Sequence, residues 1–124
     1  MRDVLWIALG AIVGANLRYA VSRWSARHIS ASLPYGTFLI NVSGSFVLGF
    51  FLVWTTERVF ADPRWRALIA VGFCGAYTTF SSYSFETFTL FEHGNYAMAF
   101  ANFVSNNLCT FLAVMAGAML ARAV

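Results

Sequence analysis

Apolar residues along this chain fall into four long blocks, at about 4–24, 37–56, 64–91 and 96–121, with short polar intervals between them. Each block is long enough to cross a bilayer as a helix, which takes about 20 residues. The intervals carry boundary signals. Leu33-Pro34-Tyr35-Gly36-Thr37 reads as a turn feeding a helix, with the proline near its start. Asp62-Pro63 reads as a cap followed by a first-turn proline, so a third helix is expected to begin there. Glu92-His93-Gly94-Asn95 reads as a tight turn. The pattern predicts an all-α membrane protein, a single transmembrane domain over residues 1–124 with four transmembrane helices and short connections.

The third block differs from the others. Its middle, Gly72-Phe73-Cys74-Gly75-Ala76-Tyr77-Thr78-Thr79-Phe80-Ser81-Ser82-Tyr83-Ser84-Phe85-Glu86, combines glycines, hydroxyls, tyrosines and a carboxylate. Glycines permit bending, and the hydroxyls of Thr78 and Thr79 compete with helical backbone bonds. A break near 75–78 is expected. Carbonyls freed there need donors or a cation, because irregular backbone at membrane depth is tolerated only when buried in protein or lining a cavity. Beyond the break, Phe80, Tyr83, Ser84 and Thr87 fall on one helix face by three-and-four spacing. Glu86 is the acid well inside an apolar run. Two readings stand for it: a functional intramembrane carboxylate, or a carboxyl near the interface that holds neighbouring helices.

The other blocks carry isolated polar groups. Gly10 and Gly14 form a small-xxx-small pattern suited to close helix contact. Arg18 reads either as an interfacial arginine reaching the headgroups, or as a buried cation that attracts an anion or orients another helix. Arg23, Arg27 and His28 are expected in the loop that follows. Asn41 needs a partner in hydrocarbon and has two options, a bond across to another helix or a place on a water-filled pore. Asn102, Asn106 and Thr110 recur every four residues, one stripe of either helix–helix contacts or pore wall.

Composition narrows the class. Sixty per cent of residues are apolar and 10% charged, against roughly 25% charged in a soluble domain. The net charge of +3 comes from arginines at segment ends, which argues for headgroups rather than nucleic acid. The first block has no convincing cleavage site and is read as a membrane helix. Cys74 and Cys109 sit in apolar blocks and read as small buried residues. No phosphate loop, metal cluster or nucleophilic triad is recoverable, so an enzyme is not expected. Amides, hydroxyls, ring edges and one arginine suit an anion better than a cation. With both termini on one side, that side holds Arg2, Arg58, Arg64, Arg66 and Arg122, and the other Arg23 and Arg27, with Arg18 if it reaches the surface. The bias is weak, and four helices make a thin bundle; both points favour a dimer.

Three motifs resemble the small fluoride channels of the Fluc or CrcB family: Gly14-Ala15-Asn16-Leu17-Arg18, Gly36-Thr37-Phe38-Leu39-Ile40-Asn41-Val42-Ser43-Gly44, and the Gly72–Glu86 stretch. Gly94-Asn95-Tyr96 also fits. The resemblance implies a fluoride-selective channel of the cell inner membrane that exports fluoride passively, as an antiparallel, dual-topology homodimer with two pores. It implies a structural sodium ion (Na+) at the dimer centre, held by main-chain carbonyls of Gly75 and Thr78. It places Asn41, Phe80, Tyr83, Ser81, Ser84, Thr110 and Arg18 on the fluoride pathway, with Glu86 structural or gating. Tyr83 stands where the commoner residue is Phe. Two other readings compete. A small multidrug-type exporter needs a carboxylate in the first membrane helix, where this chain has Arg18. A non-transport scaffold leaves the polar stripes of the last two helices without a purpose.

Overall fold

The computed structural model describes residues 2–29, 32–57 and 62–124, and the regular elements among them are all helical. They are α1 (Arg2–His28), α2 (Tyr35–Glu57), α3, α4 (Phe80–Glu92) and α5 (Tyr96–Ala123). The helix α3 is a continuous run with an α-helical start at Pro63–Trp65, a π-helical stretch at Arg66–Cys74 and an α-helical end at Gly75–Tyr77. By length and composition α1, α2 and α5 can each cross a membrane.

Local chemistry explains the boundaries. Asp62 caps α3 by accepting from the Arg64 amide at 2.9 Å, with Pro63 in the first turn. The polar interval from Thr55 to Arg66 is largely helical, with Thr55 and Glu57 in α2 and Arg64 and Arg66 in α3, while Arg58 lies outside the described residues. Arg23, Arg27 and His28 belong to α1 and not to a loop. The helix runs on because His28 stacks on Trp24 at 5.4 Å and places Nδ1 2.9 Å from the Trp24 carbonyl. The turn after α4 closes with the Gly94 amide donating to Phe91 O and the Asn95 amide to Leu90 O. That double bond pattern needs a left-handed residue, and Gly94 supplies it with φ 77°.

Packing forms two pairs. In the first, α1 lies on α3 with backbones nearly touching. A Cβ on Gly72 would sit 2.5 Å from the Ile7 carbonyl, and one on Gly10 or Gly14 would meet the carbonyls of Leu68 and Phe73. In the second, α2 runs along α5, and α4 leans on α5.

Between α3 and α4 the chain is extended at two residues, Thr78 (φ −78°, ψ 158°) and Thr79 (φ −150°, ψ 111°). The residues before them, Gly75–Tyr77, stay α-helical. Hydroxyls decide the place. Thr78 Oγ1 donates back to the Cys74 carbonyl at 2.8 Å and finishes α3. Thr79 Oγ1 accepts from the Ser82 amide at 3.2 Å and starts α4.

Candidate functional site

The extended pair is gripped from α2. Asn41 Oδ1 accepts from the Thr79 amide at 2.8 Å, and Asn41 Nδ2 donates to the Thr79 carbonyl at 3.1 Å. One side chain thus satisfies both polar groups of a buried, non-helical residue. The chain of amides continues. Asn41 Nδ2 donates to Asn106 Oδ1 at 3.2 Å, and Asn106 Nδ2 to Asn102 Oδ1 at 2.9 Å. Asn102 Nδ2 then donates to Thr87 Oγ1 at 2.8 Å, and Thr87 Oγ1 to the Tyr83 carbonyl at 2.8 Å. All three asparagines are buried. The network fastens α4 to α2 and α5 at both ends of its first two turns.

Beside the extended pair lies a cavity of about 190 Å³, lined by Asn41, Thr79, Phe80, Tyr83, Asn107 and Thr110 among others. Phe80 and Tyr83 meet edge to face, ring centres 5.3 Å apart and planes at 66°. Phe80 is 76% exposed, whereas Tyr83 is 5% exposed. The Tyr83 hydroxyl accepts from Asn107 Nδ2 at 2.8 Å. Thr110 Oγ1 donates to the Asn106 carbonyl at 2.6 Å. Asn41, Phe80, Tyr83 and Thr110 therefore share one cavity.

Ser81, Ser84, Arg18 and Glu86 lie elsewhere. Ser81 is exposed, with Oγ 3.4 Å from Thr79 Oγ1. Ser84 lines an apolar groove of about 550 Å³ on the far side of Tyr83, with Phe88, Phe100 and Phe103. Glu86 lines a cavity of about 480 Å³ at the other end of α4, beside Ser22, Ser25, Pro34 and Thr37. Thr37 Oγ1 donates to Glu86 Oε1 at 2.6 Å, while Glu86 Oε2 is buried with no partner among the described residues. Arg18 is half-buried on α1 and lines neither cavity.

The carbonyls of Gly75 and Thr78 have lost their helical donors. In a continuous helix the amides four residues on, Thr79 and Ser82, would return to them. The Thr79 amide donates to Asn41 instead, and the Ser82 amide to Thr79 Oγ1. Gly75 is exposed, and a Cβ there would meet nothing within 4 Å. Such carbonyls suit a hard cation, which takes oxygen ligands. Two contributors escape a reading of spacing. Thr37 meets Glu86 from 49 positions away. Asn107 sits one residue off the Asn102–Asn106–Thr110 stripe.

A family model described as CrcB-like protein, Camphor Resistance (CrcB), matches residues 5–118. The chain is 53% identical over 124 residues to the fluoride-specific ion channel FluC of Koribacter versatilis, covering 100% of this chain and 98% of that one. It is 45% identical over 122 residues to the FluC of a Sulfurihydrogenibium species, covering 98% of each chain. A Roseiflexus FluC is 45% identical over 120 residues, covering 97% of each chain. With the family model matching nearly end to end, the chain belongs to the CrcB family.

Proposed function

We propose that this chain is a fluoride-selective channel, not an enzyme, in the cell inner membrane, and that it protects the cell by letting fluoride leave passively. The carrying observation is the cavity beside Thr78–Thr79, where the edge-to-face pair Phe80 and Tyr83 meets amides and hydroxyls. The FluC relatives named above support the identity of the ion. Fluoride is small and strongly hydrated. A path that selects it replaces water piecemeal with weak donors, firm enough to admit the ion and loose enough to release it. The ring edges of Phe80 and Tyr83 are electropositive and face an anion favourably. Thr110 adds a hydroxyl to the cavity wall, Ser81 and Ser84 would offer hydroxyls to the ion on α4 outside that cavity, Asn41 holds the wall at Thr79, and Arg18 adds long-range attraction. Glu86, bonded to Thr37, ties the end of the path at α4 to α2.

In this reading α3 and α4 are two halves of one membrane crossing, broken at Thr78–Thr79, which makes four crossings in all. Two copies pair antiparallel, in dual topology. The carbonyls of Gly75 and Thr78 from each copy would hold a structural sodium ion. The support is chemical: both carbonyls lack their helical donors, and the open side of Gly75 leaves room for a second subunit. When bound, the ion supplies positive charge that neutralises converging carbonyl dipoles.

The test is purified protein in liposomes loaded with fluoride, read with a fluoride electrode, with chloride-loaded vesicles as control. Rapid fluoride efflux without chloride efflux is expected, and its absence overturns the proposal. Phe80→Ile removes a ring edge from an exposed position and should slow efflux at least tenfold while the dimer still assembles. Efflux at the parent rate would remove Phe80 from the pathway.

A further inference from the structure

Counting donors around the cavity at Thr78–Thr79 leaves two hydroxyl hydrogens without an acceptor among the described residues, those of half-buried Ser45 and of Tyr83, and only Tyr83 is buried against the Phe80 ring. Both Asn41 amide hydrogens are committed, to Thr79 O and Asn106 Oδ1. Asn106 Nδ2 gives its hydrogens to Asn102, at Oδ1 and at the carbonyl. Thr110 and Thr78 hydroxyls donate to backbone carbonyls. Thr79 Oγ1 donates to Ser82 Oγ at 3.0 Å. The Tyr83 hydroxyl is different. Its hydrogen-bond contact among the described residues is Asn107, and there it accepts.

That direction is forced by the neighbour. Asn107 Nδ2 also donates to the Phe103 carbonyl at 2.7 Å. A carbonyl can only accept, so the nitrogen of the Asn107 amide must face it. The same nitrogen is 2.8 Å from Tyr83 Oη. The phenol oxygen is therefore an acceptor toward Asn107, and its own hydrogen must point elsewhere. The ring is 5% exposed, so this hydrogen is a buried donor. Asn107, which marks the hydroxyl end of the ring, lines the 190 Å³ cavity and not the apolar groove on the ring's other flank.

We propose that Asn107 is a positioning residue that turns the Tyr83 phenolic O–H into the cavity, where it is a hydrogen-bond donor for the permeating anion. The inference rests on the fluoride-channel reading and deepens it. Where a phenylalanine offers an anion only a ring edge, Tyr83 adds an O–H, and a bond from Asn107 to its oxygen polarises that O–H and strengthens it as a donor. The donor acts without a formal charge, so the ion is held and still released.

The experiment compares the parent, Tyr83→Phe, Asn107→Ala and the double variant in liposomes, measuring the fluoride concentration that gives half-maximal efflux. Tyr83→Phe keeps the ring and its packing. It should raise that concentration about tenfold, the scale of one hydrogen bond to a charged group, with elution in detergent unchanged. Asn107→Ala should shift it the same way by less, and the double variant should match Tyr83→Phe alone, because the asparagine acts through the phenol. Asn107→Gln, which can donate again from a longer arm, should recover part of the shift. A Tyr83→Phe value within about twofold of the parent overturns the inference, as does multiplication of the two single shifts in the double variant. Either outcome with vigorous parent efflux defeats only this assignment. A parent without fluoride efflux defeats the channel reading and this inference together.

Discussion

Asn41 closes a ring with the peptide of Thr79, accepting from its amide and donating to its carbonyl. Asn41→Ala leaves both groups buried and unpaired. Each such group costs about 1–3 kcal/mol, so a loss of about 3 kcal/mol is expected in thermal unfolding of the purified protein in detergent. Asn106→Ala breaks one lateral link and spares the ring, and should lose less than half of that. Equal losses in the two variants would show that the ring at Thr79 is not the main contribution of Asn41. Spacing alone made part of this visible. Asn102, Asn106 and Thr110 recur every four residues, and two of the three are buried on one face of α5. Periodicity names a face but not a partner. It therefore left Asn41 between a cross-element bond and a pore wall, and the asparagine turns out to clasp Thr79 while lining the cavity. Asn107 was invisible by the same logic, since it lies off the stripe and acts through its distance to one hydroxyl.

Where a helix ends is decided by caps more than by permissive residues. Gly72 and Gly75 drew attention to 75–78 in the sequence, yet residues 75–77 are α-helical and the extended residues are Thr78 and Thr79. Gly72 has a different use, letting the α3 backbone approach Ile7 of α1. Thr79→Ala removes the side-chain cap of α4 and keeps the backbone clasp with Asn41. About 1 kcal/mol of stability should be lost, the usual scale of an N-cap, with α4 still starting at Phe80. Amide hydrogen exchange of the purified protein checks this: the amide of Ser82, bonded to the Thr79 hydroxyl, should exchange faster, and the amide of Thr79 itself should not. Faster exchange at Thr79 would mean that the cap also holds the clasp. The cap and proline at Asp62-Pro63 were readable from sequence because they are local. The extra turn of α1 was not, because it depends on Trp24 and His28 stacking in space.

Three helices reach across a membrane by themselves, whereas α4 has 13 residues and α3 covers only 63–77. Neither meets the roughly 20 residues that a crossing takes. Joined end to end they do, and then Thr78–Thr79 lies at depth, where irregular backbone must be covered by protein or line a cavity. On the Thr79 side the cover is present in the chain, from Asn41 and the cavity wall. On the Gly75 side it is absent from the described residues, for a Cβ there meets nothing within 4 Å. In the proposed reading, a second copy of the chain, with sodium between the facing carbonyls, would complete that side. Gly75→Leu separates the subunit from the pair. The larger side chain has room within one subunit, so the helices should still pack and the protein should still be extracted folded. It intrudes where the partner belongs, so chemical cross-linking in detergent should yield mostly monomer. Exchanging sodium for N-methylglucamine should weaken the parent dimer in the same assay and leave the already monomeric Gly75→Leu protein unchanged. Undiminished cross-linking of Gly75→Leu would place the subunit contact on another face, and a parent dimer indifferent to sodium would remove the ion from it.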